Sequence, residues 1–234
     1  MLINYSCNKT SGASITTATG SIPDMYKKFN STVQISVVGN YVILKTNGLP
    51  DHKSPYFNTS DSRYEAYNGT NTHFMQNPNK IIEQSLTFKV PISPMESSNK
   101  QTTPLGPIGI ALNGVPIYNQ YAGPATPLTN EINSFDQYNG HPQQSGQYHY
   151  HVEPLYLTSI KGKTSLIGVL LDGFPVYGPS ENGNTITDND LDSYHGHFSV
   201  TADYPNGIYH YHITAEAPYI NGNGFNGTPG SVTQ

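Results

Sequence analysis

Three blocks of this sequence occur twice, in the same order. IGIALNGVPIY (residues 108–118) returns as IGVLLDGFPVY (167–177), 59 positions on. DQYNGH (136–141) returns as DSYHGH (192–197), 56 on, and GQYHYHV (146–152) returns as GIYHYHI (207–213), 61 on. Only the spacers differ in length, as loops on a duplicated frame do. Each copy reads as strand, Gly-Pro turn, loop, strand, and neither carries a helix-period pattern of ten residues or more. Two such units have to bury their apolar faces against one another. The fold class expected is therefore all-β: a sandwich or barrel with an internal pseudo-twofold repeat, many Gly/Pro turns and little helix. The repeats run over residues 106–155 and 165–215.

The rest of the chain is consistent with this reading. Gly and Pro together make up 40 of 234 residues, a turn-rich composition. Residues 1–22 are small and polar and read as an irregular arm. IPDMYKKFN has the pattern of one short helix. In VQISVVGNYVILKT (33–46), alternating apolar residues on either side of Gly39-Asn40 predict a hairpin. LTFKVPI (86–92) places Leu86, Phe88 and Val90 on one face of a half-buried strand. One β domain is expected over 23–225, with a tail at 226–234. Asn47-Gly48-Leu49-Pro50 is a weaker third echo of the repeated turn.

Composition excludes several classes. Only 12% of residues are charged, the formal net charge is −5, and no Lys/Arg cluster is present, so nucleic acid is not an expected partner. The single cysteine, Cys7, can form neither an intramolecular disulfide nor a Cys-based zinc ribbon. No run of 18 apolar residues exists, so no transmembrane segment is expected. The charge-poor, Asn-, Thr- and Tyr-rich composition fits an extracellular, periplasmic or cell-surface protein, although MLINYSCNKT is no signal peptide. Sequons at Asn4, Asn8, Asn30, Asn58, Asn68 and Asn226 are compatible with glycosylation.

The chemistry lies in the histidines. Residues i and i+2 of a strand share a face, so His149 and His151 project together, as do His210 and His212, with tyrosines on the opposite face. A His-x-His pair is a half-site for a metal ion. His141 and His197, each just before its YHYH strand, are the natural third donors, and three imidazoles leave one coordination position open. Asp136 and Asp192 stand five residues earlier and can ligate or orient a histidine. His195 is an extra donor in the second copy, where the first has Asn139. The bland alternative is a Tyr/His ladder hydrogen-bonded across the sheet. Imidazole accepts both copper and zinc, and no Cys or Met lies nearby to favour blue copper. Non-haem iron would draw on Asp136 or Asp192 as its carboxylate. Calcium is possible at Asp188, Asp190 and Asp192, but Ser193 stands where the calcium loop needs Gly, and a solvated acidic loop is the plainer reading.

Together NGLPDH, LGPIGIALNGVPIY, DQYNGH, LDGFPVYGP and the two YHYH strands resemble the YHYH-domain proteins, a largely uncharacterised, mostly exported group. The resemblance runs from about residue 33 to 225. It implies that His52, in NGLPDH, belongs to the family pattern and so joins the possible metal ligands. It implies no settled activity. Three readings follow. The first is an exported metal-binding β-domain holding copper or zinc, in two sites or one shared centre. The second is a metal-dependent hydrolase or copper/iron oxidoreductase with an open three-histidine site and Asp136, Asp192 or Glu153 as proton carrier. The third is a structural or adhesive domain whose tyrosines touch polysaccharide, protein or a small-molecule ligand.

Overall fold

A computed structural model describes residues 20–234. Cys7, Asn4, Asn8 and nearly all of the expected N-terminal arm lie outside the described residues. IPDMYKKFN forms a single 3-10 turn, Asp24–Lys28. Strands β1 (Gln34–Val38) and β2 (Tyr41–Thr46) make the expected hairpin around Gly39 and Asn40. β3 (Leu86–Pro91) pairs with β2 and buries Leu86, Phe88 and Val90, and β4 (Glu96–Gln101) follows.

The first repeat supplies β5 (Pro107–Ala111), β6 (Pro116–Tyr118), the two-residue strands β7 (Tyr121–Ala122) and β8 (Thr126–Pro127), then β9 (Gly140–Pro142) and β10 (Tyr148–Tyr150). A short helix, α1 (Leu155–Lys161), begins after Pro154 and stops at Gly162, whose φ is 97°. The strand–loop–strand pattern did not include it: seven residues are too few for a helical period to stand out. The second repeat supplies β11 (Leu166–Leu170), β12 (Pro175–Tyr177), β13 (Ser180–Glu181), β14 (Asn184–Thr185), β15 (Gly196–Ser199) and β16 (Ile208–His212). The chain closes with β17 (Phe225–Gly227), paired with β4, and β18 (Ser231–Thr233), paired with β3. The stretch set apart as a tail thus contributes the fourth strand of a small sheet, β1-β2-β3-β18.

The large sheet states the duplication directly. Its order is β15-β16-β12-β11-β5-β6-β10-β9, the same four-strand unit read outward from the centre in both directions. At the seam β5 and β11 run antiparallel, with Ile110 opposite Val169, Gly109 opposite Leu170 and Ala111 opposite Gly168. Ile110 and Val169 are themselves equivalent residues, so the pseudo-twofold axis passes between them. Both are wholly buried, each contributing about 1.5–3 kcal/mol on removal from water. The seam is tight enough to demand glycine: a Cβ at Gly109 would stand 2.5 Å from the Val169 carbonyl oxygen, and one at Gly168 2.4 Å from that of Ile110.

Among the described residues the architecture is all-β with little helix, as expected, but the sheet is open and no barrel closes. The small sheet sits over the two repeated turns. Thr46 donates its hydroxyl to the Gly114 carbonyl at 2.9 Å, and the Gly230 amide donates to that of Leu171 at 2.8 Å. Val42, Leu44 and Phe88 join Ile108, Ile110 and Val169 in one contiguous core. Among the described residues no helix is long and apolar enough to cross a membrane.

Two candidate metal centres

The tyrosine faces of the YHYH strands are anchored first. Tyr148 and Tyr150 are wholly buried, and each hydroxyl has fixed partners. Tyr148 donates to Asp136 Oδ2 at 2.8 Å. Tyr150 bonds to His52 Nε2 at 3.0 Å and accepts the Asn113 amide at 3.1 Å. In the second copy Tyr209 donates to Asp192 Oδ1 at 2.9 Å and Tyr211 to Asp172 Oδ2 at 2.6 Å. These bonds fix the roll of each strand, and with it the direction of the histidines on its other face.

The approach to each strand is braced by the repeated Asp and Gly. Asp136 Oδ1 accepts the Tyr138 and Gly140 amides at 2.9 and 3.3 Å. Asp192 Oδ1 accepts those of Tyr194 and Gly196 at 2.9 and 3.2 Å. A Cβ at Gly140 would lie 2.3 Å from the Tyr148 ring, and one at Gly196 2.6 Å from that of Tyr209. The next residue is the third histidine. It arrives on a short edge strand and not, as the sequence implied, from a loop: His141 on β9 stands opposite His149 in register, and His197 on β15 opposite His210.

The imidazoles converge. In the first centre His141 Nε2 lies 3.1 Å from His149 Nε2, which lies 3.0 Å from His151 Nε2. Glu131 brings Oε1 to 3.1 Å from His141 Nε2 and 3.9 Å from His151 Nε2. In the second, His210 and His212 Nε2 are 3.0 Å apart, and Glu181 stands 3.4 Å from His197 Nε2 and 3.5 Å from His210 Nε2. In each group the four donor atoms all lie within 4.8 Å of one another.

The outer nitrogens decide what these contacts are. His149 Nδ1 faces the Gln147 carbonyl at 3.1 Å and His151 Nδ1 that of Asn119 at 2.6 Å. His210 Nδ1 faces the Ile208 carbonyl at 3.0 Å and His212 Nδ1 that of Gly178 at 2.8 Å. A carbonyl only accepts, so each Nδ1 carries the proton and each neutral Nε2 is a bare lone pair. His141 Nδ1 lies 2.7 Å from the Ser134 hydroxyl, which also reaches the Glu131 carbonyl at 2.8 Å. The Nε2 pairs at 3.0 Å are therefore acceptor against acceptor, with no proton to share. Protonation does not rescue them. Burial holds His149 well below the usual imidazole range and takes His151 and His212 down to about 4, and burial also lowers His210. Lone pairs so placed match a cation: donors about 2.0–2.1 Å from a tetrahedral zinc sit about 3.3 Å from each other. Both carboxylates are held ionised. Glu131 is lowered beside His141, and Glu181, against the cost of burial, is held low by the Ser199 hydroxyl that donates to it at 2.6 Å.

The remaining sequence-predicted residues lie elsewhere. Asp136 and Asp192 join neither group, because their oxygens are occupied by the turn amides and by Tyr148 and Tyr209; Glu131 and Glu181 stand where a carboxylate ligand was expected. His52 donates from Nδ1 to the Lys53 carbonyl at 3.0 Å and packs on Tyr138 at 4.5 Å between ring centres, on the tyrosine side of the sheet. His195 takes the left-handed position of Asn139, with φ of 73° against 64°, and bonds Thr214 as Asn139 bonds the equivalent Glu153 carbonyl. Glu153 reaches neither group. The calcium reading finds its carboxylates engaged apart: Asp190 caps Thr187, Asp188 lies 3.9 Å from His195, and Asp192 braces its turn. Sequence reasoning missed Glu131 and Glu181. They come from non-equivalent places, a 3-10 turn after β8 and strand β13, so the repeat gives no signal for them.

A family model described as YHYH protein matches residues 87–188 and 180–225, more than half of the chain. No curated protein and no solved structure matches in the same comparisons. Both centres, apart from the separately recruited glutamates, are built from the tetrapeptide and the blocks around it. The chain belongs to the YHYH protein family.

Proposed function

We propose that this protein binds two metal ions, one in each repeat. Each is held by three histidine Nε2 atoms and one glutamate: His141, His149, His151 and Glu131 in one, His197, His210, His212 and Glu181 in the other. The observation that carries this is the pair of protonless Nε2–Nε2 approaches at 3.0 Å. Buried acceptors facing each other are costly unless a cation lies between them. The two centres sit on opposite wings of the large sheet, with β6, β5, β11 and β12 between β10 and β16. At about 4.8 Å per strand that is on the order of 20 Å, so one shared ion is not part of the proposal.

A donor set of imidazole and carboxylate, with no thiolate or thioether, fits copper(II) or zinc. An exported location belongs to the same reading and rests on composition alone. A metal-dependent enzyme is the second reading, favoured by a pocket that opens beside Glu181 and His212. The test is metal content. Chain stripped with chelator, reloaded with copper or zinc and dialysed should hold two ions, and His149→Ala and His210→Ala should each hold one. Less than about 0.1 ion per chain, with no rise in melting temperature on adding either metal, would refute the proposal.

A further inference from the structure

The two centres share a ligand set but not an environment. The three histidines of the first are all covered, and only its Glu131 side chain, 28% exposed, reaches the surface. Tyr118 stacks on His149 at 3.9 Å between ring centres, and Phe135 packs on His141 and His151 at 4.8 and 5.8 Å. The chain before β3 crosses its edge strand: the Asn77 and Asn79 amides donate to the Pro142 carbonyl at 3.1 and 3.2 Å, and Ile82 donates to that of Gly146 at 2.9 Å. The side chain of His141 is 4% exposed. A pocket lies nearby, bordered by Ile132, Asn133 and Phe135, but none of the four donors lines it.

The second centre lacks this cover. Its edge strand β15 leaves Phe198 exposed, and the side chain of His197 is 25% exposed. Leu191 occupies the position of Phe135 in the repeat. His197 Nε2 is shut off from solvent yet makes no hydrogen bond, whereas His141 Nε2 closes to 3.1 Å on its neighbour. Beside the donors lies a pocket of 410 Å³ lined by Glu181 and His212 themselves, with Tyr177, Ser180, Thr201 and Ala202 among the other walls. No Lys or Arg lines it, which disfavours phosphate-like polyanions.

We propose that the second centre alone keeps an exchangeable coordination position, open to this pocket. It takes a small monodentate donor, neutral or singly charged, and holds water at rest. The inference rests on the metal reading above. Donors covered on all sides suit a structural site, and an accessible position beside the donors suits a reactive one.

Azide added to the copper(II)-loaded full chain tests it, with copper measured in the same sample by elemental analysis and azide followed by its charge-transfer absorption. The expected result is two coppers per chain and saturation by one azide. His210→Ala should remove the azide response. Ala202→Trp, which narrows the pocket and changes no donor residue, should keep both coppers and weaken azide at least about 10-fold. Two coppers with no azide response, two azides bound, or an Ala202→Trp chain that binds azide unchanged would overturn the inference and leave the metal reading standing. A chain that takes up no copper would overturn both.

Discussion

Freed of metal, the wild-type protein should lose far more stability between pH 6.5 and 4 than a variant without its two inner histidines. Burial takes His151 and His212 from 6.5 to about 4 in the folded chain. Between those values the unfolded chain binds protons that the folded chain refuses. Stability contributed by the neutral rings is thus present above pH 6.5 and lost as pH falls. At about 1.4 kcal/mol per pH unit, each of the two histidines contributes roughly 3 kcal/mol to that loss. Their sum, about 6 kcal/mol, is comparable with the whole stability of many domains. Asp172 acts with the opposite sign: burial raises its carboxyl from 3.8 to about 6, so it favours folding as pH falls through that value. A difference measurement removes it. Urea denaturation of chelator-treated wild type and of His151→Asn/His212→Asn at pH 7, 6, 5 and 4 should diverge by several kcal/mol toward acid. Asparagine can still donate to the Asn119 and Gly178 carbonyls but does not titrate. Parallel curves would refute the claim that these rings are buried as neutral lone-pair donors.

Three further predictions follow from named contacts. Tyr148→Phe removes a donor from the buried Asp136 carboxylate and should cost about 1–3 kcal/mol by urea denaturation; Tyr209→Phe, whose partner Asp192 is exposed, should cost less. Gly168→Ala places a methyl 2.4 Å from the Ile110 carbonyl oxygen and should destabilise by more than about 2 kcal/mol, because both seam strands must part; an unchanged melting temperature would contradict the seam. Glu131→Gln and Glu181→Gln should each weaken metal at their own centre by about 10-fold or more, read by competition with a chelator of known affinity.

Much of this was legible in the chain, for reasons that are local. The shared order of the repeated blocks exposed the twofold frame, and period-two alternation exposed β1, β2 and β3. His-x-His on a strand has one geometric consequence, so the grouping of His149 with His151 and of His210 with His212 could be read directly. The glutamates could not. Glu131 comes thirteen residues after Tyr118 and Glu181 four after Tyr177, inside spacers where the copies do not correspond. Asp136 and Asp192 were visible through their spacing, but spacing says only that a residue matters to the unit, not whether its oxygens face the histidines or the turn. His195 was conspicuous as chemistry and proves to occupy the turn position of Asn139. The short helix α1 and strand β18 carry too few residues for any period to emerge.

The most direct test of the central claim is diffraction from metal-loaded crystals at the absorption edge of the added copper or zinc. Two anomalous peaks are expected per chain, one enclosed by Nε2 of His141, His149 and His151, the other by Nε2 of His197, His210 and His212. No peak at either cluster, or a single ion seated on Asp136, Asp192 or His52 instead, would contradict the account.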